Sequence, residues 1–517
     1  MPSLRPLRSN DARAAVSKVV YVPAPSNGWN ASDDLSNMDE RDAIVLENMI
    51  PEEGGVRTRP GHTEHATGLA DPVQSVIAYA PPAGAEELFA ATASNVYDVT
   101  AAGAVGAAEI SGLSNGWWDH TMFATSGGTF LVMCNGADGL YSYNGSSFTN
   151  QTASITGVNA QDFISVHAHL GRLWAIETDT LSAWYLPVGQ LNGAAAEIPL
   201  ASFSKLGGKL VAMSSWTRDG GEGPDDYMAF ITSKGEVHIY AGTDPSSGTT
   251  WQRVGSFKIA EPVGRRCILK AGSDVGVVTS QGVVGLSSIL GTAQSAQRQM
   301  SATDNIGDAF EDSYSDARGL NGWQITEFSS ERLVIVNVPL VEDTTSVQYV
   351  ANPANKGRWC KWTGLPANCW GAKDGDLYFG GHDGTVYKLT GTEDNGDAIN
   401  WLVVQAFSEL KDPRVKRFTR IKPVFTGPPG YTPRVGLRLD YDETVVTYSA
   451  TPSAIIGPEW DVAEWDVDGW GGGVAPNFRW QGVRGSGFSV AVIVSGATRE
   501  EVTYNGCKLA YEVGRDF

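Results

Sequence analysis

The chain has 517 residues with only 19% charged side chains, 60 Gly and 16 Trp, and its formal net charge is −20. That length is too great for one ordinary core, and an acidic sum argues against tight binding to nucleic acid or anionic membranes. Five cysteines, Cys134, Cys267, Cys360, Cys369 and Cys507, form no CxxC pair. Neither a disulfide framework nor a zinc site is signalled, and reduced thiols made in a cytoplasm fit best.

In chain order, residues 1–25 carry Arg5, Arg8, Arg13 and Lys18 against Asp11. They lack the apolar run of a signal peptide and read as an extended arm without a core of its own. Residues 38–50, MDERDAIVLENMI, place Ala43, Leu46 and Met49 at helical spacing, with Pro51 and Gly54-Gly55 beyond. The spacing predicts one short helix there. No run of about 18 apolar residues exists, so no membrane insertion by a helix is expected.

From about 75 to 395 the chain repeats a strand, a Gly- or Asn-containing turn and a second strand. Equivalent strands fall at Val96, Leu140, Trp184, Val237, Val283, Val347 and Val386, at intervals of 44, 44, 53, 46, 64 and 39 residues. A hairpin-rich unit at that period matches a propeller blade, a four-stranded antiparallel sheet that hides both faces only against neighbours in a ring. Six or seven blades are expected. Trp-Asp dipeptides at 118–119, 460–461 and 465–466 do not recur at blade ends, so this is no standard WD40 array. After about 400, longer strands such as FSVAVIVS and CKLAYEV, separated by Pro/Gly stretches, read as a β-sandwich-like domain. Trp460, Trp465, Trp470 and Trp480 lie in its loop-rich middle, open to local packing or to a protein contact. The expected fold class is all-β: a six- or seven-bladed β-propeller (71–398), a C-terminal β-sandwich-like domain (399–517), and an N-terminal arm with one short helix (1–70).

No catalytic motif stands in a suitable context. His62/His65 and His167/His169 lack further ligands for a metal. DPSSGTTW (244–251) approaches the turn of sialidase-type propellers but misplaces its acid, so it reads as a turn with Trp251 packed beneath. TEDNGDA (392–398) loosely resembles a calcium loop without the later Glu and reads as a solvated loop. The basic stretch KDPRVKRFTRIKP (411–423) puts Arg414, Lys416, Arg420 and Lys422 on one side by strand alternation. Such a stripe suits a solvated face, contact with an acidic neighbouring subunit, or contact with DNA, the last opposed by the chain's negative sum. Neither catalytic residues nor a metal or cofactor is expected.

Two segments carry a family resemblance. SNGWNASDDLSNMDERDAIVLENMIPEEGGVRTRPGHTEHATGL (26–69) resembles the N-terminal signature of phage tail proteins at Gly28, Trp29, Asn30, Asn48, Gly54, Gly55, Arg57, Arg59 and Gly61. VHIYAGTDPSSGTTWQRVGSFKIAEPVGRR (237–266) is similar to the blade-crossing stretch of the same proteins at Tyr240, Gly242, Asp244, Pro245, Trp251, Gly255, Pro262 and Gly264. The chain thus resembles the propeller-built tail nozzle family of short-tailed phages, those like tail tubular protein B. The resemblance implies a non-enzymatic virion subunit assembled in the host cytoplasm. It implies self-association in a ring of six, contacts with the tail adaptor and with tail fibre or tip proteins, and genomic DNA passing without specific binding. A host-receptor- or glycan-binding tail-tip propeller is the alternative. Trp29, Asn30, Arg57, Arg59, Arg414, Lys416, Arg420 and Lys422 are the candidate subunit-interface residues, the two arginines through bidentate carboxylate pairs.

Overall fold

A computed structural model describes residues 17–219, 224–271, 274–289, 303–428, 431–443, 475–477 and 479–513. Arg5, Arg8 and Arg13 of the arm, and Trp460, Trp465 and Trp470, lie outside the described residues.

Short strands dominate because tight turns recur between β-branched and aromatic runs. Leu170-Gly171 and Asp374-Gly375 both have positive φ at each position, the backbone of a two-residue type I′ hairpin. Seven blades result. Blades 1 to 4 are four-stranded and begin with Ser75–Tyr79, Asp119–Thr125, Phe163–His169 and Leu210–Asp219. Blade 5 has three strands among the described residues, starting at Ile268–Ala271, and blade 6 starts at Gln324–Phe328. Blade 7 takes three strands from Ala367–Leu389 and its fourth, His62–Thr67, from the N-terminal region, in antiparallel register from Val386↔Ala66 to Leu389↔His62. The blade number is therefore seven. Each of Val96, Leu140, Trp184, Val237, Val283, Val347 and Val386 sits in the third strand of its blade. The one long interval, 64 residues, spans the connection from blade 5 to blade 6 that holds the helix Gly307–Ala317.

Cores lie between blades. Phe89 and Ile77 of blade 1 meet Trp118 and Met133 of blade 2. Trp174 and Tyr185 of blade 3 meet Phe230, Tyr240 and Trp251 of blade 4. Val76 and Leu88 of blade 1 meet Tyr378 and Val386 of blade 7, which closes the circle. Each large apolar side chain so enclosed contributes roughly 1.5–3 kcal/mol.

The sandwich is built from both ends of the chain. Its first sheet centres on Lys416–Gly427 and Thr503–Val513, and adds Ser17–Pro23, Met49–Glu52 and Gly55–Thr58 from the N-terminal region. Its second contains Ile399–Gln405, Val490–Thr498 and Arg434–Leu439, with Asp42–Glu47 alongside. Asp42–Glu47 also meets the outer strand of blade 6 through Glu47↔Lys361, so sandwich and blade 6 share one nine-stranded sheet. One core joins Leu46 and Val56, Trp362 and Phe379 of the propeller, and Phe425, Val492 and Leu509 of the sandwich. Residues 17–67 are thus divided between the sandwich and blade 7 and form no unit of their own. An arm can be extended without a private core when its strands complete other sheets.

The helix expected at 38–50 is replaced by the strands Asp42–Glu47 and Met49–Glu52; the α-helices among the described residues are Leu286–Ile289 and Gly307–Ala317. The reason is specific. A bulge between Ala43 and Val45 and a left-handed Asn48 (φ 57°) each insert one residue into the two-residue alternation. Ala43, Leu46 and Met49 are all fully buried at three-residue spacing, which imitates helical periodicity.

If His62–Thr67 closes the ring, Ala66→Pro should remove a ladder donor and cost about 1–3 kcal/mol. The expected outcome is early proteolytic cleavage within blade 7 in limited digestion, whereas Pro at exposed Ala107, in a loop, should leave the digest unchanged.

Candidate functional site

The signature segment makes its bonds inside the chain. Gly28 has φ +86°, and a Cβ there would stand 2.6 Å from the Trp359 carbonyl oxygen, so only Gly fits. Trp29 packs edge-on against Tyr349 at 5.2 Å. Buried Asn30 donates from Nδ2 to Asp42 (2.9 Å) and Asp33 (2.8 Å), while its Oδ1 accepts from the Ser32 and Asp33 N–H groups.

Arg59 lies at the junction of propeller and sandwich with its side chain fully buried. Its guanidinium holds Asp394 bidentately, at 2.8 and 2.7 Å, and donates to Asn48 Oδ1 (2.9 Å) and to the Pro60 and Thr363 carbonyls. His62 Nδ1 meets Asp394 Oδ1 at 3.1 Å. Asn48 completes the knot by donating to the Asn400 carbonyl (2.7 Å) and accepting from the Thr363 N–H (2.9 Å). Burial pushes the Asp394 pKa up, but hydrogen bonds from His62 and Arg59, with their charges, hold it below the usual carboxylate range. Gly61 is required beside it, since a Cβ would fall 2.0 Å from the Glu393 carbonyl oxygen. Arg57 pairs with Glu52 (2.7 Å) and Glu331 of blade 6 (2.8 Å) and approaches Glu501 (3.8 Å). The bidentate pair expected of the arginines exists, yet it is internal: Arg59 and Asn30 are buried within one chain and are not available to a neighbouring subunit.

Asp394 is the functional residue that sequence reasoning missed. The TEDNGDA turn reads locally as solvated, and nothing near it announces an arginine 335 residues away.

The basic strand is split by a bulge between Phe418 and Arg420. Before it, Lys416 and Phe418 point into the core, and the Lys416 ammonium donates to the Phe488 (2.7 Å) and Arg414 (3.0 Å) carbonyls. Its burial lowers its pKa. Beyond the bulge Ile421 and Phe425 turn inward, and Arg420 and Lys422 face outward together with Arg417. Arg414 pairs with Asp412 (2.8 Å), which also takes Lys18 of the N-terminal strand (3.1 Å). The expected single stripe of Arg414, Lys416, Arg420 and Lys422 is therefore wrong in membership. The extra residue at the bulge reverses the alternation on which it rested.

The inner strands of the blades surround a channel. Trp118, Asp119, Arg265 and Arg266 line both a cavity of about 270 Å³ and one of about 370 Å³. Arg266 of blade 5 reaches across to the Gln74 carbonyl (2.9 Å), the Trp118 carbonyl (2.8 Å) and the Ser75 hydroxyl, while Arg265 donates to the Asn135 carbonyl (3.3 Å). Three blades are cross-braced at the waist. Burial pushes the Arg266 pKa down to about 10, with Asp119 among the groups that oppose this.

His167 lines the 270 Å³ cavity, where its Nε2 accepts from the Ser215 N–H (3.1 Å) beside the Ser215 hydroxyl (2.9 Å). No carboxylate orients its Nδ1 among the described residues, so the pair lacks the third member of a nucleophilic triad. Burial, then Lys270 and His169, push the His167 pKa down to about 3. His169 instead packs edge-on against Trp174 and Trp251. Trp251 is buried and stacks on Trp174 at 5.3 Å, with Asp244 capping the turn through Ser246. Among the described residues no three His, Cys, Asp or Glu side chains are grouped to hold a metal ion.

The chain matches no protein-family model and no curated protein sequence. Solved structures of similar shape include the WD40 propeller domain of Doa1, at 9% identity over 64% of this chain and 96% of that one, with TM-score 0.39. BamB from Moraxella catarrhalis is 11% identical over 66% and 93%, with TM-score 0.34. Sqt1 of Saccharomyces cerevisiae is 10% identical over 64% and 98%, with TM-score 0.35. These likenesses concern the propeller fold and nothing finer.

Two outcomes test the site. Arg59→Ala leaves partly exposed Asp394 with His62 as its remaining partner and deprives Asn48 and two carbonyls of their donor, so unfolding in urea should show a loss of about 3 kcal/mol; Arg59→Lys, which cannot bind bidentately, should recover less than half of it. His167 binds protons more readily unfolded than folded. Stability should therefore be complete above the unfolded histidine pKa and fall as pH drops from about 6.5 toward the folded value of about 3. His167→Gln should flatten that slope, and equal slopes in the two proteins would exclude the residue as its source.

Proposed function

We propose that this chain is a non-enzymatic virion protein, a tail nozzle subunit that forms part of the DNA-exit channel and joins the tail adaptor to distal tail fibre or tip proteins. One observation carries the reading. The segment whose sequence resembles the nozzle family, 26–69, is the segment that laces the sandwich to the propeller and then closes the seventh blade. The likeness therefore falls on residues that build the architecture.

The mechanical character of the molecule supports the same role. A continuous nine-stranded sheet and a buried ion pair fix the two domains to each other, as a wall under load from passing DNA requires. The propeller's own channel is waisted by Arg266, so DNA passes along the axis of a ring of copies, six in the resembling family, and not through a blade ring. A chain of net charge −20 repels the DNA backbone and limits sticking during exit.

Electron micrographs of phage particles carrying a gold-labelled form of this chain should place label at the tail, below the portal and adaptor. Particles that form and infect normally without the chain, or that never contain it, would overturn the reading.

A further inference from the structure

The outer face of the first sandwich sheet carries a charge of the opposite sign to the chain as a whole. Its register aligns three rows of outward side chains. Arg417 faces Glu512 and Ser17; Arg420 faces Ala510 and Val19; Lys422 faces Lys508 and Tyr21. Arg484, on the neighbouring strand, points the same way. Glu512 touches Arg417 only loosely, at 3.9 Å, while Glu52 and Glu53 lie at the edge of this face beside Tyr21. Arg417 is 74% exposed, and the N-terminal strand leaves Val19 (57%) and Tyr21 (53%) open to solvent.

A surface of the reverse character lies on the propeller. The helix Gly307–Ala317 and the second and third strands of blade 6 enclose a groove of about 400 Å³, floored by Ala309 and Tyr349 and rimmed by Asp312 and Asp316. Leu340 (52%) and Val341 (55%) are exposed at its lip. Asp304, Asp308 and Glu311 extend the acidic side, and the loop bearing Asp33 and Asp34 packs against the helix start through Ser32 and Asp308.

The geometry points to a head-to-tail contact between two copies of this chain, the basic sheet face of one seated on the acidic groove of the next. The occupant follows from complementarity of two kinds: cations around two exposed apolar side chains on one surface, acids around two exposed apolar side chains on the other. Each copy presents both surfaces, and they are different, so the contact is heterologous and propagates into a ring where the rotation closes. Its use as the ring contact of a nozzle rests on the function proposed above; the contact itself does not.

The test uses the purified full-length chain in sedimentation velocity. Wild type should assemble at low salt and dissociate in about 1 M NaCl, where the screening length shrinks to about 3 Å. Arg417→Glu/Arg420→Glu/Lys422→Glu reverses the charge of the sheet face, and Asp312→Lys/Asp316→Lys reverses the charge at the rim of the groove. All five positions are solvent-accessible, and circular dichroism should match wild type. Each variant alone should self-associate at least tenfold more weakly, and an equimolar mixture should recover assembly because every contact is again between opposite charges. Single Arg420→Glu should weaken assembly in the same direction. Wild type that stays monomeric at all salt concentrations, variants that assemble unchanged, or a mixture that fails to recover would each overturn the proposal. Assembly by this contact in a protein absent from virions would defeat only the nozzle reading.

Discussion

Everything in this molecule depends on closing a ring of sheets. A single blade has two apolar faces, and neither can be hidden within it; Trp174, Trp118 and Phe89 are buried only because the next blade supplies the other wall. An open ring would expose two such faces and one free edge. Closure falls to His62–Thr67, a strand more than 300 residues from the one it pairs with. The loop-closure entropy of that pairing is met only when both propeller ends are already in place.

That demand shapes the rest of the chain. To reach blade 7 the N-terminal segment has to cross the sandwich, and it does so as working strands: Ser17–Pro23 on Thr503–Val513, Asp42–Glu47 on Ile399–Gln405. The two domains consequently fold as one body with a shared core. The crossing point would bury polar backbone and a charge. Arg59 answers both needs, since its five donors satisfy Asn48, two carbonyls and a carboxylate in one plane. A lysine could meet only part of that demand.

Much of this is legible in the sequence, and the unreadable parts have identifiable causes. The period-two strands and Gly turns mark the third strand of all seven blades correctly, because a half-buried strand beside a tight turn is a local pattern. Irregular backbone defeats the same logic. The bulge at Ala43/Val45 with left-handed Asn48 turns strands into an apparent helix, and the bulge at Phe418/Arg420 splits one basic stripe into a buried lysine and an exposed basic face. Partners distant in sequence defeat it too. Arg57 and Arg59 are visibly suited to bidentate carboxylates, but whether the carboxylate belongs to the same chain is decided by burial, which only the fold reveals.

The channel waist completes the mechanical argument. Inner strands of a propeller converge on an axis that nothing fills by default, so the centre is where the ring can shear. Arg266 occupies that axis and donates to acceptors on blades 1 and 2 from a position on blade 5. The bonds to the Gln74 and Trp118 carbonyls fix the backbone itself, and the third goes to the hydroxyl of buried Ser75. A carboxylate partner would have held the charge more tightly but left the strands free to slide. The depressed pKa of Arg266 is the cost of that choice, and with the pKa still near 10 the brace stays cationic across physiological pH. The same logic, spending a buried cation to lock backbone, recurs at Lys416 in the sandwich, where the ammonium ties the carbonyls of Arg414 and Phe488. Both domains are therefore stiffened internally by cations, while Arg417, Arg420 and Lys422 remain outside.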